Sequence, residues 1–408
     1  MARAERARRP PNLPKGLSEM RNGSREVVIV EAVRTPIGRG HKEKGYYKDV
    51  HPSNLLAKTY SEVLERVGVD GSEVEDVVAG CVQQFGVQAY NIGRNAWLEA
   101  GLPMETPATT IDRQCGSAQQ AVNFAAAQIG AGVLDCAIGS GVEHMGKIGF
   151  GDGMKVIGEY GSPFSPELME KYNLIPQGFS AEMIADQWEI PRSELDELAV
   201  RSHRLAHQAT EEGRFEREIV PFSVNGDTYV TDQGIRPGTD IETLAGLKPA
   251  FKEDGKITAA NSSQISDGAA AVLLMERGKA ESLGLKPRAR IVDQITVGVD
   301  PVIMLTGPIP ATQQLLERNG MQIDDIDLFE VNEAFAPVVA AWQRELNPDM
   351  DRVNVNGGAM ALGHALGSTG ARLITTLLHE LERTDKNVGL VTMCCGGGLG
   401  TGTLIERI

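Results

Sequence analysis

Three scarcities in the 408-residue sequence limit what the chain can do. Its five cysteines are sparse and odd in number, which is typical of reduced thiols in a cytoplasmic enzyme and not of a disulfide framework. Positive charge is also short: 40 Lys and Arg face 55 Asp and Glu, a formal net charge of −15. This balance argues against nucleic-acid partners or an anionic membrane surface. No stretch approaches the roughly 18 uninterrupted apolar residues of a membrane helix, so we expect a soluble protein with no membrane partner.

Glycine and aliphatic residues are plentiful by contrast. The chain has 46 Gly, 41% hydrophobic residues and only 5% aromatics, a composition common in α/β enzymes with many tight turns. Its length predicts two packed domains, or one large duplicated α/β body with insertions. Residues 1–25 differ from the rest, because they are basic, contain a Pro-Pro pair and lack a periodic apolar face. We interpret them as a disordered tail without the apolar region of a secretory signal.

Hydrophobic periodicity predicts an alternation of strands and helices. A continuous apolar run at 27–30 is typical of a strand buried on both faces. From about 147 to 260 the composition changes: Gly and Pro residues interrupt polar helices, and the run at 224–239 is irregular. This change predicts an insertion that covers a site. The predicted strands are 27–30, 77–82, 108–112, 136–140, 269–275, 289–295, 326–331 and 388–393, and the predicted helices are 54–67, one that begins near Cys115, 192–214 and 368–382.

The two halves of the chain resemble each other weakly but in matching order. Residues 75–78 followed by 83–85 are similar to 325–328 followed by 332–335, and 135–141 is similar to 387–392 with the glycines after it. This order indicates a duplicated α/β unit. A site between the duplicated halves would be natural.

Four segments concentrate unusual residues, and most of them follow a predicted strand: 112–118, 332–336, 356–364 and 394–398. Ligand sites of α/β proteins gather at the carboxyl ends of strands. Cys115 lies at a strand-to-helix junction, where the free amides and partial positive charge of a helix N-terminus favour a thiolate. An isolated cysteine is more often a small buried hydrophobe, but this position and the flanking glycine favour a nucleophile.

Three further residues suit the same chemistry. His364 stands among glycines that let backbone approach a ligand, so it can take a thiol proton and later stabilise an oxyanion. Cys394 precedes three glycines by one residue, and a second thiol there can move a proton to or from carbon. Asn332 offers an uncharged amide that can anchor a water or an oxygen. The neighbouring Glu333 we interpret as support for the start of the following helix.

Rival motifs are weak. The sequence has no Cys-x-x-Cys pair, and the vicinal Cys394 and Cys395 are a poor zinc chelate. His203 and His207 stand four apart, but Arg204 occupies the place where a zinc protease has Glu, so a solvated helix face is the preferred interpretation. Neither a Walker loop nor a dinucleotide fingerprint is present. We therefore expect no metal site and no nucleotide hydrolysis or hydride transfer.

Together the four segments resemble the thiolase family, which shares Cys-Gly-Ser near 115, Asn-Glu-Ala-Phe, Asn-Gly-Gly with Gly-His, and Cys-x-Gly-Gly-Gly near the end. The resemblance runs from about residue 26 to the C-terminus. It implies an α/β thiolase fold, a five-layered α-β-α-β-α body of two duplicated halves with an inserted loop domain. The implied division is a tail at 1–25, a first half at 26–146 completed by 264–284, a loop domain at 147–263 over the coenzyme A site, and a second half at 285–408.

The resemblance also implies roles for individual residues. Cys115 would be the nucleophile, His364 its base, and Cys394 the acid or base at the carbon of acetyl-CoA. His364 with a water on Asn332 would form one oxyanion hole, and the amides of Cys115 and Gly396 the other. The implied coenzyme A and substrate contacts are Arg236, Thr243, Leu247, Ala259, Ser263 and Phe335.

The implied reaction is thiolysis of a 3-ketoacyl-CoA to acetyl-CoA and a shortened acyl-CoA, or the reverse Claisen condensation. Coenzyme A and acyl-CoA would be substrates, with no permanently bound cofactor, and the assembly would be a homodimer or a dimer of dimers. Asp112, Ala365-Leu366 and Cys395 depart from the usual family pattern. Asp112, Gln119-Gln120 and the segment 349–408 are most similar to thiolases that shorten sterol side chains, which implies a bulky acyl group.

Two alternatives remain open at this point. A ketoacyl synthase of the same fold would use Cys with His and His or Asn, and Cys394 is the residue that argues against it. A degenerate thiolase-like lipid-binding or scaffold protein would not need Cys115, His364, Asn332 and Cys394 together. Acyl chain length and the physiological direction of the reaction are not determined by these motifs.

Overall fold

A computed structural model of the chain describes residues 25–408. The disordered tail predicted for residues 1–25 therefore lies outside the described residues, apart from Arg25, whose guanidinium pairs with the carboxylate of Asp135. Within residues 25–408, no helix combines the length and the apolar character needed to cross a bilayer.

The strands follow one another as β1 (Val27–Arg34), β2 (Gly38–Arg39), β3 (Asp76–Gly80), β4 (Ala108–Ile111), β5 (Cys136–His144), β6 (Phe222–Val224), β7 (Asp227–Tyr229), β8 (Ser266–Glu276), β9 (Ala289–Gly298), β10 (Leu328–Val331), β11 (Val388–Cys395) and β12 (Leu399–Arg407). One large mixed sheet has the order β10-β11-β12-β9-β1-β8-β5-β3-β4, with β2 on β8. Every predicted strand is present with boundaries shifted by a few residues. The strand β12 was not predicted.

The helices are α1 (Pro52–Glu65), α2 (Ile92–Glu99), α3 (Ser117–Gly130), α4 (Ile157–Tyr160), α5 (Pro166–Lys171), α6 (Gln177–Gln187), α7 (Arg192–Glu211), α8 (Ile241–Ala245), α9 (Arg277–Ser282), α10 (Pro308–Asn319), α11 (Ala336–Leu346), α12 (Ala359–Leu362) and α13 (Thr369–Arg383). Single 3-10 turns lie at Gly71–Glu73, Gly86–Gln88, Asp152–Val156, Ile323–Asp325 and Met350–Arg352. The predicted helices correspond to α1, α3, α7 and α13.

The duplication predicted from sequence is visible in the topology. In the first half β3 is parallel to β4 and β5, and β5 is antiparallel to β8, which is antiparallel to β1. In the second half β10 is parallel to β11, and β11, β12 and β9 follow in antiparallel order. An isolated parallel bridge between Phe329 and Val353 takes the place of β4. The halves join where β1 pairs with β9.

Strand alternation sorts the apolar side chains into separate cores. Leu273 on β8 packs with α1 and α2, whereas its neighbour Leu274 packs with α3 and α13. The same central cluster holds Leu328 and Val391 of the second half, while Phe329 packs outward with Trp342 of α11. These clusters make five layers, α1/α2, first sheet half, α3/α13, second sheet half and α10/α11.

The stretch between β5 and β8 forms α4 to α8 and a separate hairpin of β6 and β7. The run 224–239, predicted to be irregular, therefore contains a strand: Asp227–Tyr229 pairs with Phe222–Val224, and Tyr229 stacks on Tyr46 at 3.8 Å between ring centroids. Buried Arg34 of β1 anchors this stretch, because its guanidinium donates to both carboxylate oxygens of Asp232 at 2.7 and 2.9 Å and to Glu218 at 2.5 Å.

The two central helices bring the predicted site residues to one place. Cys115 lies two residues before α3, and His364 lies five residues before α13. A Cβ added at Gly370 would lie 2.2 Å from the backbone nitrogen of Gln119, so the helices touch backbone to backbone at their N-terminal ends. Glycine is required at this contact.

Candidate active site

Cys115 sits on a strained turn between β4 and α3. Gln114 before it has φ of +51°, in the left-handed region that costs a non-glycine residue free energy and that clusters at functional sites. Two side chains brace the turn. The Asp112 carboxylate accepts from the Gln114 amide at 2.6 Å, and the Ser117 hydroxyl accepts from the Arg113 amide at 2.9 Å while donating to the Gln114 carbonyl at 2.6 Å.

The environment of the Cys115 thiol is dry and lined by amides. The residue is 4% exposed, and burial raises the pKa of the thiol to about 12, although the N–H groups of Gly396 and of Cys115 itself act in the opposite direction. The amides favour the thiolate, as expected, but desolvation outweighs them. A base must remove the proton.

His364 has the properties of that base. Its Nδ1 lies 2.7 Å from the hydroxyl of Thr369, and that hydroxyl donates to the Ala365 carbonyl at 2.8 Å. This arrangement assigns the proton to Nδ1 and makes Nε2 the acceptor nitrogen of the ring. Burial, helped by the positive charge of Arg372, lowers the pKa of His364 to about 3, so the imidazole is neutral near pH 7.

Asn332 completes a pair with His364. It directly follows β10, its side-chain nitrogen lies 3.4 Å from His364 Nε2, and its backbone amide donates to the Thr392 carbonyl at 3.1 Å. The residue is fully buried, and its Oδ1 has no hydrogen-bond partner among residues 25–408. A buried amide oxygen of this kind suits a bound water.

The two thiols at the end of β11 have different surroundings. Burial raises the pKa of Cys394, and the next cause is the charge of Cys115, which places the two groups in one electrostatic environment. Cys395 instead lies under the nucleophile turn: its sulfur accepts from the Gly116 amide and contacts Thr401. A Cβ added at Gly116 would lie 2.7 Å from Cys395 Sγ. The charge of Cys115 is the second cause of the raised pKa for Cys394 and Cys395 alike, so both thiols lie near the Cys115 sulfur, and Cys395 also supports the turn before α3.

The loops of Cys115 and His364 are adjacent, although no hydrogen bond joins the two side chains within the described part of the chain. A Cβ added at Gly80 would lie 2.4 Å from the Ala118 nitrogen and 2.7 Å from the Gly367 carbonyl oxygen. Buried Glu143 ties the same region together, since its carboxylate accepts from the amides of Gly367 and Val82, each at 2.9 Å. The site is therefore built on fixed backbone.

Glu333 has a different role from the one predicted. Its buried carboxylate accepts from the Ser202 hydroxyl at 2.6 Å, from the Asn354 amide at 3.0 Å and from the backbone of Met360 at 3.1 Å. It therefore supports the start of α12 and not α11, the helix that follows it. The segment 354–363, which leads to His364, is held in this way.

The loop 258–263 connects the outer part of the site to Asn332. The Ser263 amide donates to the Ala334 carbonyl at 2.9 Å, while Ser263 is half-buried and Ala259 is exposed. Phe335 packs edge-on against Phe251, with 6.1 Å between ring centroids. The loop that carries Ala259 and Ser263 therefore lies against Phe335, three residues after Asn332.

The remaining predicted contacts lie farther out. Arg236 is exposed on the surface. Its pKa is lowered first by partial burial of its side chain and second by the positive charge of nearby Arg39. Thr243 and Leu247 are exposed on and just after α8. In the described chain no hydrogen bond joins them to Cys115 or His364. Arg236 and Arg39 form a local cationic patch on an acidic protein.

His203 is buried, so the interpretation of a solvated helix face is wrong for it. Its Nδ1 accepts from the Arg236 backbone amide at 3.1 Å, and burial lowers the pKa of its imidazole to about 4. Among residues 25–408 there is no group of three or more His, Cys, Asp or Glu arranged to hold a metal ion.

Sequence reasoning missed several residues of the site. Thr369 orients His364, Arg39 accompanies Arg236, and the side chain of Gln177 at the start of α6 packs against Gly396. A Cβ added at Gly396 would lie 2.6 Å from Gln177 Nε2. The sequence position of Thr369 could have indicated this contact, because a hydroxyl in the first turn of a helix, five residues after His364, can reach the His364 ring. Nothing in the sequence around Gln177 indicated a place near Gly396.

A cavity of about 710 Å³ opens beside the site. Ile265, which forms an isolated bridge with His364, and Met145, which packs in the same cluster as Cys115, both line it. Phe150 and three glycines line it as well, and the rest of the lining is charged or polar: His41, Lys42, Glu43, Asp152 and Lys155. The volume lies within the range of small-molecule pockets, about 300–1,000 Å³.

Comparisons with known proteins agree with this geometry. Residues 27–278 match the model of the thiolase N-terminal domain, and residues 285–407 that of the thiolase C-terminal domain. The chain is 45% identical to the steroid 3-ketoacyl-CoA thiolase FadA6 of Mycobacterium tuberculosis, with 94% of each chain covered. It is 43% identical to a 3-ketoacyl-CoA thiolase of Aeromonas salmonicida, covering 94% of this chain and 100% of that one. The crystal structure of the Bacillus anthracis acetyl-CoA acetyltransferase is 39% identical, with a TM-score of 0.86 over 94% of this chain and 99% of that chain.

Proposed function

Because the chain belongs to the thiolase family, we propose that Cys115 carries the acyl group which the enzyme moves to and from coenzyme A. The reaction is thiolytic cleavage of a 3-ketoacyl-CoA, or condensation in reverse. The observation that carries the residue assignment is the pair of amides, from Cys115 and Gly396, that point at the Cys115 sulfur. Donors fixed around a nucleophile in a dry site are suited to an oxyanion that develops beside it.

In the first half-reaction Nε2 of His364 takes the Cys115 proton, and the sulfur attacks the 3-keto carbon of the substrate. The resulting oxyanion is stabilised by preorganised donors. The bond between carbons 2 and 3 then breaks, which leaves the acyl group on Cys115 and the enolate of acetyl-CoA. Cys394 gives its proton to the enolate carbon, a role supported by its burial near Cys115 and by its packing with Ala334 and Ala336, on either side of Phe335.

In the second half-reaction the thiol of another coenzyme A attacks the acyl-enzyme, and Cys115 leaves. The Cys394 thiolate takes the proton of the coenzyme A thiol, and the protonated His364 returns a proton to Cys115. The Asn332 oxygen would hold a water that, with His364, stabilises the thioester oxyanion of acetyl-CoA. Two oxyanion sites match a reaction with two oxyanions.

Coenzyme A enters as a substrate, and we propose that no cofactor is bound permanently. Ala259, Ser263 and Phe335 would contact the pantetheine arm along the approach to Cys115. Arg236, with Arg39, would meet the nucleotide phosphates, and Thr243 and Leu247 would lie against the adenine. A cationic patch on a chain of net charge −15 supports this placement.

We propose that the acyl group occupies the cavity beside Ile265 and Met145 and that the enzyme accepts bulky, steroid-derived chains. The similarity to a steroid 3-ketoacyl-CoA thiolase supports the bulky chain, and Met145, Phe150 and Ile265 supply the apolar part of the lining of this 710 Å³ cavity. The test compares turnover of acetoacetyl-CoA with that of a steroid 3-ketoacyl-CoA. Met145→Trp should suppress the second and spare the first, and equal loss on both substrates would contradict this placement.

The assembly is proposed to be a cytoplasmic homodimer or dimer of dimers. The edge strand β4 and the exposed Tyr90 and Phe124, 94% and 43% accessible, offer a surface for a second copy. We further propose the boundaries 26–146 with 264–284 for the first half, 147–263 for the loop domain and 285–408 for the second half. The helices and hairpin between β5 and β8 support this division.

Two variants test the catalytic roles. Cys115→Ala should abolish both thiolysis and condensation, because no acyl-enzyme can form. Cys394→Ala should still release coenzyme A from acetyl-CoA in a single turnover but lose condensation. Cys136→Ala is the matched control, since Cys136 is an equally buried free thiol at the start of β5. Unchanged condensation by the Cys394 variant would remove its proposed role.

A further inference from the structure

The face of β10 that meets α13 changes from apolar to polar along the strand. Leu328, Glu330 and the following Asn332 alternate onto this face, because side chains two residues apart point the same way. Leu328 packs in the central cluster with the leucines of α13, whereas Phe329 and Val331 pack in the outer cluster. A buried glutamate therefore stands immediately behind Asn332.

The opposing helix carries a matching pair. Thr369 and Arg372 are three residues apart on α13 and so share a side of the helix. Thr369 holds His364, and Arg372 Nη1 lies 3.5 Å from Glu330 Oε2. Both charged side chains are 2% exposed. Two layers result, with Thr369, His364 and Asn332 in one and Arg372 and Glu330 in the next.

These groups are also short of hydrogen bonds. Within residues 25–408, five buried atoms here have no hydrogen-bond partner: the three guanidinium nitrogens of Arg372, Glu330 Oε2 and Asn332 Oδ1. Burying an unsatisfied guanidinium is costly for folding. The buried guanidinium of Arg372 therefore does not serve stability, and the neighbouring His364 points to its function.

We propose that Arg372 is a positioning residue which, held by Glu330, keeps the imidazole of His364 in the neutral form that accepts the Cys115 proton. A cation behind the imidazole opposes a second proton on the ring. The proposal rests on the proposed function of His364 as the base. In agreement with it, the Arg372 charge is the second cause, after burial, of the lowered pKa of His364.

Other charged groups lie near these two layers. Glu143 faces the His364 loop from β5 through Gly367, and Glu333 follows Asn332. Beyond Arg372 lie Arg34, Glu218 and Asp232, which bond to one another. Burial raises the pKa of Glu330 to about 8, against the opposing charge of Arg372, and it also raises the pKa of Glu143, Glu333 and Glu218. These carboxylates would favour a protonated imidazole, so the effect of Arg372 is opposite in sign to theirs.

The test measures single-turnover acylation of Cys115 by acetyl-CoA from pH 2.5 to 8, with each reaction started by a rapid pH jump from neutral solution so that acylation precedes acid unfolding. The variants are Arg372→Gln, Glu330→Gln and the double Arg372→Gln/Glu330→Gln, which leaves two amides facing each other. Loss of the guanidinium should move the acid limb of the acylation rate upward by about one pH unit or more. Both variants without Arg372 should show this shift, and Glu330→Gln alone should not.

A purely structural role would lower thermal stability and the active fraction without moving the pH profile. Acid limbs that coincide with that of the wild type in every folded variant would overturn the proposal and leave the function of Cys115 intact. If the single Arg372 variant does not fold, the double variant supplies the result. Failure of the wild-type enzyme to acylate at any pH would instead refute the proposed function.

Discussion

The hydrogen bond between Thr369 and His364 allows a quantitative test of how the base is oriented. In Thr369→Val the side-chain shape is kept, but the hydroxyl 2.7 Å from Nδ1 is lost. His364 is 3% exposed, so water cannot readily replace that partner. Leaving a buried donor unsatisfied costs about 1–3 kcal/mol, which corresponds to roughly a 5- to 150-fold loss of rate if the cost falls on the acylation step.

Release of coenzyme A in a single turnover with acetyl-CoA measures that step directly. Thr369→Ser retains the hydroxyl and should recover most of the rate. Thr375→Val is the matched control, because Thr375 is also buried on α13 and its hydroxyl donates to the Ala371 carbonyl at 2.8 Å, away from the site. If Thr369→Val acylates as fast as the Thr375 variant, the orientation of His364 does not depend on this bond and the reasoning fails.

Three further predictions concern the fold that holds the site. Gly370→Val should lower the free energy of unfolding by about 1–3 kcal/mol or more, since the added Cβ would lie 2.2 Å from the Gln119 nitrogen; an unchanged melting temperature would contradict this contact. Arg34→Met should cost about 3–5 kcal/mol by leaving Asp232 and Glu218 buried and unpaired, and should expose residues 147–263 to limited proteolysis. His203, His364 and His379, whose pKa values burial lowers to about 4, 3 and 3, take up protons mainly on unfolding. Stability should therefore fall as the pH drops below about 6.5; His203→Gln should flatten that dependence in thermal unfolding, and an unaltered slope would speak against it.

Local patterns in the sequence were enough to predict the strand and helix alternation and the duplicated order. The run at 27–30 and the amphipathic helix near 54–67 were predicted in this way, because the spacing of their apolar residues is enough to show which faces are buried. The strand β12 was missed because its glycines and threonines lack an apolar pattern, and its pairing with β9 and β11 decides its conformation. The hairpin of β6 and β7 was missed for a similar reason.

The candidate site was predicted through its motifs, but the balance of energies within it was not. The helix start suggested a thiolate at Cys115, whereas burial of the thiol, which depends on packing across both halves, raises its pKa instead. His203 was placed on a solvated face because its helix is polar, yet the backbone of Arg236 covers it. Glu333 was assigned to the nearest helix, and its partners come from segments distant in sequence.

Mapping the acyl adduct is the most direct test of the central claim. The enzyme is incubated with acetyl-CoA, quenched in acid and digested, and the peptide that contains Cys115 is analysed by mass spectrometry. An acetyl group on Cys115, absent from the peptides of Cys394 and Cys395, is the predicted result. An adduct on another residue, or acylation that persists in Cys115→Ala, would contradict the assignment of Cys115 as the nucleophile.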